Sequence, residues 1–289
     1  MYEMDQYTVS LLHFEDGIKD ECGNSWSIQN NGVSINQAQI KDGSGSAYFN
    51  STGGIYTASS SKFAFDTGDF TIDFWMYYID GNYETNYGNV AVVLDSRSSI
   101  GKQPISIGVY SDYKIGFSVC EKVIQSAPGV IKPNNWVHIA CVRSKGIGCI
   151  FVDGKSVITG DQDVNIAQLF SSFPLYLGGD GNTRSGVGAV KCYLDEFRIS
   201  NIARWTEEFI PPTDSETETG ELLLVVTMAE EVEKEYELSK TEFDAFVNWY
   251  DNKSKGIGGP YYTFDKSFKR KDYLVFDKIL TFTVTDFTK

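Results

Sequence analysis

Between residues 7 and about 212 the chain alternates apolar and polar positions in short runs separated by turn residues. The run DFTIDFWMYYI (69–79) puts Phe70, Ile72, Phe74 and Met76 on one face and Thr71, Asp73, Trp75 and Tyr77 on the other. That period of two marks a strand. WVHIACVR (136–143), CIFVDGKSVI (149–158) and KCYLDEFRIS (191–200) predict more strands, and Asp153-Gly154 predicts a hairpin turn. Polar loops rich in Gly, Asn and Ser lie between them: DGNYETNYGN (80–89), DSRSSIGKQ (95–103) and GGDGNTRSGVG (178–188). Many short strands without helical periodicity predict a mainly β fold, a sandwich or a barrel.

The rhythm changes after PPTDSETETGE (211–221), which offers nothing apolar to bury and reads as a linker. The expected division is a β domain over 1–212, a linker over 213–220 and a small α+β domain over 221–289, with one helix and about three strands. ELLLVVTM (221–228), YYTFDK (261–266) and YLVFDKILTFTVTDF (273–287) predict strands. Ser239 and Glu242 have the spacing of a capping box, and Phe243, Phe246, Val247 and Tyr250 fall on one face of the helix it opens. KSKGIGGP (253–260) ends that helix.

Composition narrows the function. A net charge of −14 repels nucleic acid, and Lys269-Arg270-Lys271 is too short a basic cluster to offset it. No basic start followed by an apolar core marks a secretory signal, so synthesis without Sec export is expected. No apolar run reaches the roughly 20 residues that span a bilayer, so no membrane insertion is expected. The five cysteines include no CxxC; Cys141 and Cys149 sit in apolar runs and read as reduced, buried small hydrophobes.

Catalytic motifs are scarce. The two histidines, His13 and His138, lie in apolar strand patterns and read as structural. There is no GxSxG elbow, no close His/Cys set for zinc and no phosphate loop. Glycoside hydrolysis needs two carboxylates facing one sugar. Asp195 and Glu196 are adjacent, so strict alternation sends them to opposite faces, with Glu196 pairing outward with Arg198. The chain is therefore expected not to be an enzyme. Asp195 shares its face with Tyr193, Phe197 and Ile199, which requires it to be hydrogen-bonded or bound to a metal. It reads either as a carboxylate tying down backbone amides or as a ligand of a structural Ca²⁺, with HFEDGIKDECGNS (13–25) offering Glu15, Asp16, Asp20 and Asn24. In the loop 80–89, Tyr83 and Tyr87 supply ring faces and Asn82 and Asn86 supply amides, a combination suited to sugar binding.

LLHFEDGIKDECGNSW, SAYFN, GDFTIDFWMY, WVHIACVR, IFVDGK and YLDEFRISNIARWTEEFIPP, in that order, resemble the laminin-G-like branch of the concanavalin A-like lectin/glucanase superfamily over residues 8–212. The resemblance implies an antiparallel jelly-roll β-sandwich acting as a binding or adhesion module for carbohydrate or a host surface. It implies a structural Ca²⁺ near Asp16, Asp20, Asn24 and Asp195; the pair Glu15-Asp16 stands where relatives carry a single acid before Gly. It also implies a setting in phage tails or bacterial appendages, outside the cell or on the virion, with other virion or appendage proteins as partners. The alternative within that setting is a structural subunit whose jelly roll makes protein–protein contacts, including homo-oligomers; a glycoside hydrolase is the remaining alternative.

Overall fold

The computed structural model describes residues 1–79, 90–96, 105–120, 122–164, 174–179, 188–212, 221–229, 232–238, 240–265 and 271–287. The chain divides into two compact units, Met1–Pro212 and Thr213–Lys289.

In the first unit the alternating runs become strands β1 (Thr8–Leu12), β2 (Trp26–Ile28), β3 (Val33–Asn36), β4 (Ser46–Asn50), β5 (Ile55–Thr57), β6 (Phe70–Tyr78), β7 (Val90–Asp95), β8 (Ile105–Tyr110), β9 (Ile115–Val119), β10 (Lys122–Gln125), β11 (Trp136–Ser144), β12 (Ile147–Val152), β13 (Lys155–Asp161), β14 (Leu175–Leu177) and β15 (Lys191–Ser200). One sheet runs β13-β12-β11-β6-β15-β4-β3, with β1 also paired to β15, and the other runs β10-β9-β8-β7-β14-β5-β2. They form an antiparallel jelly-roll sandwich. Phe70, Ile72, Phe74 and Met76 of β6 enter the core between the sheets, where Phe70 meets Phe117 of β9 edge-on at 6.0 Å. Burying such rings and branched side chains from both sheets is the main stabilising term, at roughly 25 cal/mol per Å² of apolar surface.

The outer face of the first sheet is not simply solvent. Residues 201–212 fold back over it: Trp205 and Phe209 stack at 3.9 Å, and Trp75 Nε1 donates to Pro212 O at 3.0 Å. The predicted hairpin turn fixes this cover. Asp153 and Gly154 take φ +48° and +73°, and a Cβ on Gly154 would lie 1.7 Å from Phe209 O. Glycine is required there both for conformation and for space. All five cysteines are free; Cys141 is buried as expected, but Cys149 is only half-buried, with Sγ 3.3 Å from Ser156 Oγ.

Strand β15 changes its neighbour halfway along. Residues 191–194 pair with β4 and residues 197–200 pair with β1, while β6 lies along the other edge. A bulge sits at the change, with Glu196 at φ +51°. A bulge inserts one residue without a cross-strand partner and breaks the alternation of faces.

The second unit contains β16 (Glu221–Met228), β17 (Glu233–Leu238), helix α1 (Lys240–Ser254), β18 (Tyr261–Asp265), β19 (Lys271–Val275) and β20 (Ile279–Phe287). The sheet order is β17-β16-β20, and β18 and β19 form a hairpin. Phe246 of α1 anchors a core with Leu224, Tyr236, Phe264 and Leu274, and Phe243, Val247 and Tyr250 pack around it. The unit thus holds more strands than the sequence suggests. The charged run EKEYEL forms β17, an outer strand that buries only Tyr236 and Leu238. Ser239 and the stretch 213–220 lie outside the described residues.

Candidate functional site

The neighbour change in β15 leaves a gap between the end of β1 and the start of β4. The segments that follow β1 and precede β4, residues 13–15 and 41–45, converge on it. Lys41 N and Asp42 N donate to Asp195 Oδ2 at 3.0 and 3.1 Å. Ser44 N and Oγ donate to Glu15 Oε2 at 2.5 and 2.6 Å. Gly43, at φ +65°, makes this closure possible, because a Cβ there would lie 2.0 Å from Glu15 Oε1. Glu196 Oε1 meets His13 Nδ1 at 2.8 Å, and its other oxygen accepts from Tyr2 N. The carboxylates of Glu15, Asp195 and Glu196 each place an oxygen within 4.8 Å of the others.

In these side chains two oxygens, Asp195 Oδ1 and Glu15 Oε1, are buried without a hydrogen-bond partner. Asp195 and Glu196 are wholly buried. Burial raises the Asp195 carboxyl to about 7; the Glu196 and Asp42 charges add to this, and the two backbone donors oppose it. The hydrogen bond to Glu196 raises the His13 imidazole. Three carboxylates so close need a proton or a cation between them. Among the described residues the group consists of three carboxylates, with the His13 ring nitrogen against Glu196 and two oxygens left without a donor. That chemistry fits a hard cation such as Ca²⁺ rather than zinc.

This geometry corrects several expectations. Glu196 does not face outward beside Arg198: the bulge turns it to the same face as Asp195, so the argument that adjacency separates the two carboxylates fails here. Arg198 instead makes a two-pronged bond to buried Asp73, at 3.1 and 2.8 Å. Burial would raise the Asp73 carboxyl, but Arg198 and His138 outweigh it and hold it at about 2. Burial lowers the His138 imidazole; its Nε2 meets Tyr2 Oη at 2.8 Å, and the Arg198 guanidinium lies 4.2 Å from the Tyr2 ring centre.

Among the four residues expected to hold calcium, only Asp195 is in the acidic cluster. Asp16 is exposed. Asp20 is buried and already accepts from Ser10 Oγ (2.5 Å), Cys22 N (2.7 Å), Asn24 Nδ2 (2.9 Å) and Trp26 Nε1 (3.0 Å). Those bonds use its lone pairs and tie the 20–26 turn to β1, and Asn24 also donates to Val9 O. Glu196 is the residue that sequence reasoning placed elsewhere, and Glu15, one of the oxygens offered by the 13–25 segment, was left out of the set that the family resemblance implies. Glu15 stood in the right segment; nothing in the sequence marks the bulge that redirects Glu196. Asn82, Tyr83, Asn86 and Tyr87 lie outside the described residues.

Comparison with known proteins fits this architecture. The binding domain of Paraclostridial Mosquitocidal Protein 1 superposes with a TM-score of 0.52 at 19% identity, over 68% of this chain and 49% of that one. The botulinum neurotoxin serotype D binding domain gives 0.51 at 11% identity, over 69% and 48%. Domain 4 of an extracellular GH43 arabinanase from Geobacillus stearothermophilus, solved with arabinotriose, gives 0.51 at 15% identity, over 68% of this chain and 93% of that one. Glycosidase structures, among them Trypanosoma rangeli sialidase, also share the fold. An uncharacterized protein of Clostridium acetobutylicum is 35% identical over 72 residues, which is 23% of this chain and 18% of that protein. The chain thus spans about half of each toxin domain and less than a fifth of the clostridial protein. The laminin-G family model described as the concanavalin A-like lectin/glucanases superfamily matches residues 49–208, and the chain belongs to that family.

Proposed function

We propose that residues 1–212 form a non-catalytic carbohydrate-binding module whose rim is held together by a structural Ca²⁺. The observation that supports glycan binding is the likeness to an arabinanase domain captured with arabinotriose, of which this chain covers 93%. The observation that supports a non-catalytic role is burial. Asp195 and Glu196 have no exposed surface and are capped by Tyr2, His13 and the 41–45 segment. A glycosidase needs its acid and its base or nucleophile on either side of a sugar. Here no sugar reaches them. Glu15, Asp195 and Glu196 would hold the cation, which would neutralise their mutual repulsion and join β15 to the segments after β1 and before β4. The setting we propose, a phage tail or surface appendage, rests on the sequence resemblance alone.

A glycan array probed with the full chain tests the reading. Binding to defined glycans is expected, with no release of reducing ends from those glycans. Hydrolysis that disappears in Glu196→Gln would replace it with the glycosidase alternative.

A further inference from the structure

The outer face of the first sheet carries a row of four rings beyond the area that residues 201–212 cover. Trp136 of β11 lies opposite Tyr77 of β6, Tyr77 opposite Tyr193 of β15, and Tyr193 opposite Tyr48 of β4. Consecutive ring centres are 5.8, 5.9 and 4.9 Å apart, and every ring is partly exposed. One cross-strand aromatic pair is ordinary sheet stabilisation. An unbroken row across four adjacent strands, with each ring left partly open to solvent, exceeds what pairing requires.

The flanks of the row are polar. Lys191 and Asn50 pair with each other one pleat further along β15 and β4. Ser34 pairs with Tyr48 from β3, and exposed Asn135 precedes Trp136. Neither the row nor these flanks contain an acid. Tyr77 stands edge-on to Trp136 and Tyr193, at 67° and 84°, while Tyr48 and Tyr193 are tilted by 38°, so ring faces and edges alternate along the row. Such a surface, beside hydroxyl, amide and ammonium groups, matches the alternating apolar faces and hydroxyls of sugars. Ring spacing is set by the strand spacing and is close to the length of one pyranose unit. Charge selects further: a chain of −14 repels polyanions, and the row and the flanking residues named here offer no carboxylate to pair with a cationic sugar. A row one ring wide also suits a linear chain better than the broad patch of a protein interface.

We propose that Trp136, Tyr77, Tyr193 and Tyr48 form the docking platform for a neutral, linear glycan laid across the strands. This inference rests on the carbohydrate-binding reading above and names its surface. It differs from the Tyr83/Tyr87 loop expected from the sequence.

Affinity electrophoresis of the full chain in gels containing linear arabinan, xylan, mixed-linkage β-glucan or galactomannan tests it. At least one of these polymers retards the wild type. Tyr48→Ala and Tyr193→Ala, each checked for an unchanged melting temperature, weaken that retardation by about tenfold. A readout independent of these variants is the tryptophan emission of the wild type on adding the retarding polymer, which shifts by a component missing from Trp136→Phe. Retardation equal in wild type and folded row variants, or an emission change that persists in Trp136→Phe, overturns the platform while leaving glycan binding intact. No retardation in any gel overturns glycan binding and the platform together. Self-association abolished by the row variants, without retardation, replaces the glycan with a second copy of the chain.

Discussion

The Asp195 and Glu196 carboxylates reach one buried cluster although the residues are consecutive in one strand, because Glu196 occupies the left-handed region at φ +51°. The cluster lies where β15 leaves β4 for β1, so the acids join three segments distant in sequence: the end of β1, the approach to β4 and the middle of β15. Asp195 Oδ1 and Glu15 Oε1 have no donor there. A cation at this point would supply what the protein's own donors do not.

Calcium is therefore expected to raise the melting temperature. At a hundredfold excess over Kd the linkage gain is about 2.7 kcal/mol, or roughly 5–10 °C for a unit of this size. Differential scanning calorimetry with Ca²⁺ and with EDTA measures it. Asp195→Asn should abolish most of the difference; an equal shift in that variant would place the cation elsewhere.

In the metal-free protein, stability should fall as pH rises from about 4 to about 7. The folded-state carboxyl of Asp195, at about 7, keeps a proton that the unfolded chain releases near 4, so the folded state binds more protons across that window. His13 acts in the same direction: its raised pKa adds stability below about 6.5 that is lost as pH climbs through its folded value. Urea melts in EDTA across this range measure the slope, which Asp195→Asn should flatten. Calcium competes with the same proton, so its affinity should rise with pH.

Asp73 and Arg198 form a buried pair, and removing one partner leaves a buried charge. Asp73→Leu should cost about 3–5 kcal/mol, whereas the double variant Asp73→Leu/Arg198→Met should cost clearly less than the sum of the two singles. Chemical denaturation of the four proteins completes the cycle. Additive losses would mean the pair contributes no coupling.

Glu196→Ala should destabilise by about 1–3 kcal/mol, because Tyr2 N loses its buried acceptor. Glu196→Gln keeps an acceptor and should cost less. Equal losses in the two variants, read from denaturant midpoints, would show that the charge rather than the hydrogen bond matters.

The sandwich was legible because β6 and β11 alternate with period two over long runs, and because Asp153-Gly154 has one conformational meaning. The second unit's helix was legible from the spacing of Phe246 and its neighbours. The acidic site was only half legible. Asp195 stood out as an acid, but the apolar row assigned to it is split by the bulge: Phe197 and Ile199 enter the core with Leu194, whereas Tyr193 lies on the outer face beside Tyr48 and Tyr77. From the 13–25 segment only His13 and Glu15 reach the acidic cluster. Glu196 carries no mark of its positive φ, since Gly or Asn would signal such a position and Glu does not. Asp20 looked like a ligand because composition counts oxygens but not the donors that already occupy them. The aromatic row depends on cross-strand register among four distant segments, so no local pattern contains it.

The most direct test of a binding module without hydrolytic activity is one size-exclusion run. The full chain is incubated with Ca²⁺ and a neutral polysaccharide that retards it, and both components are followed through the column. The account predicts that the polysaccharide elutes with the protein at its original length. A polysaccharide that emerges shortened, or that never travels with the protein, would contradict it.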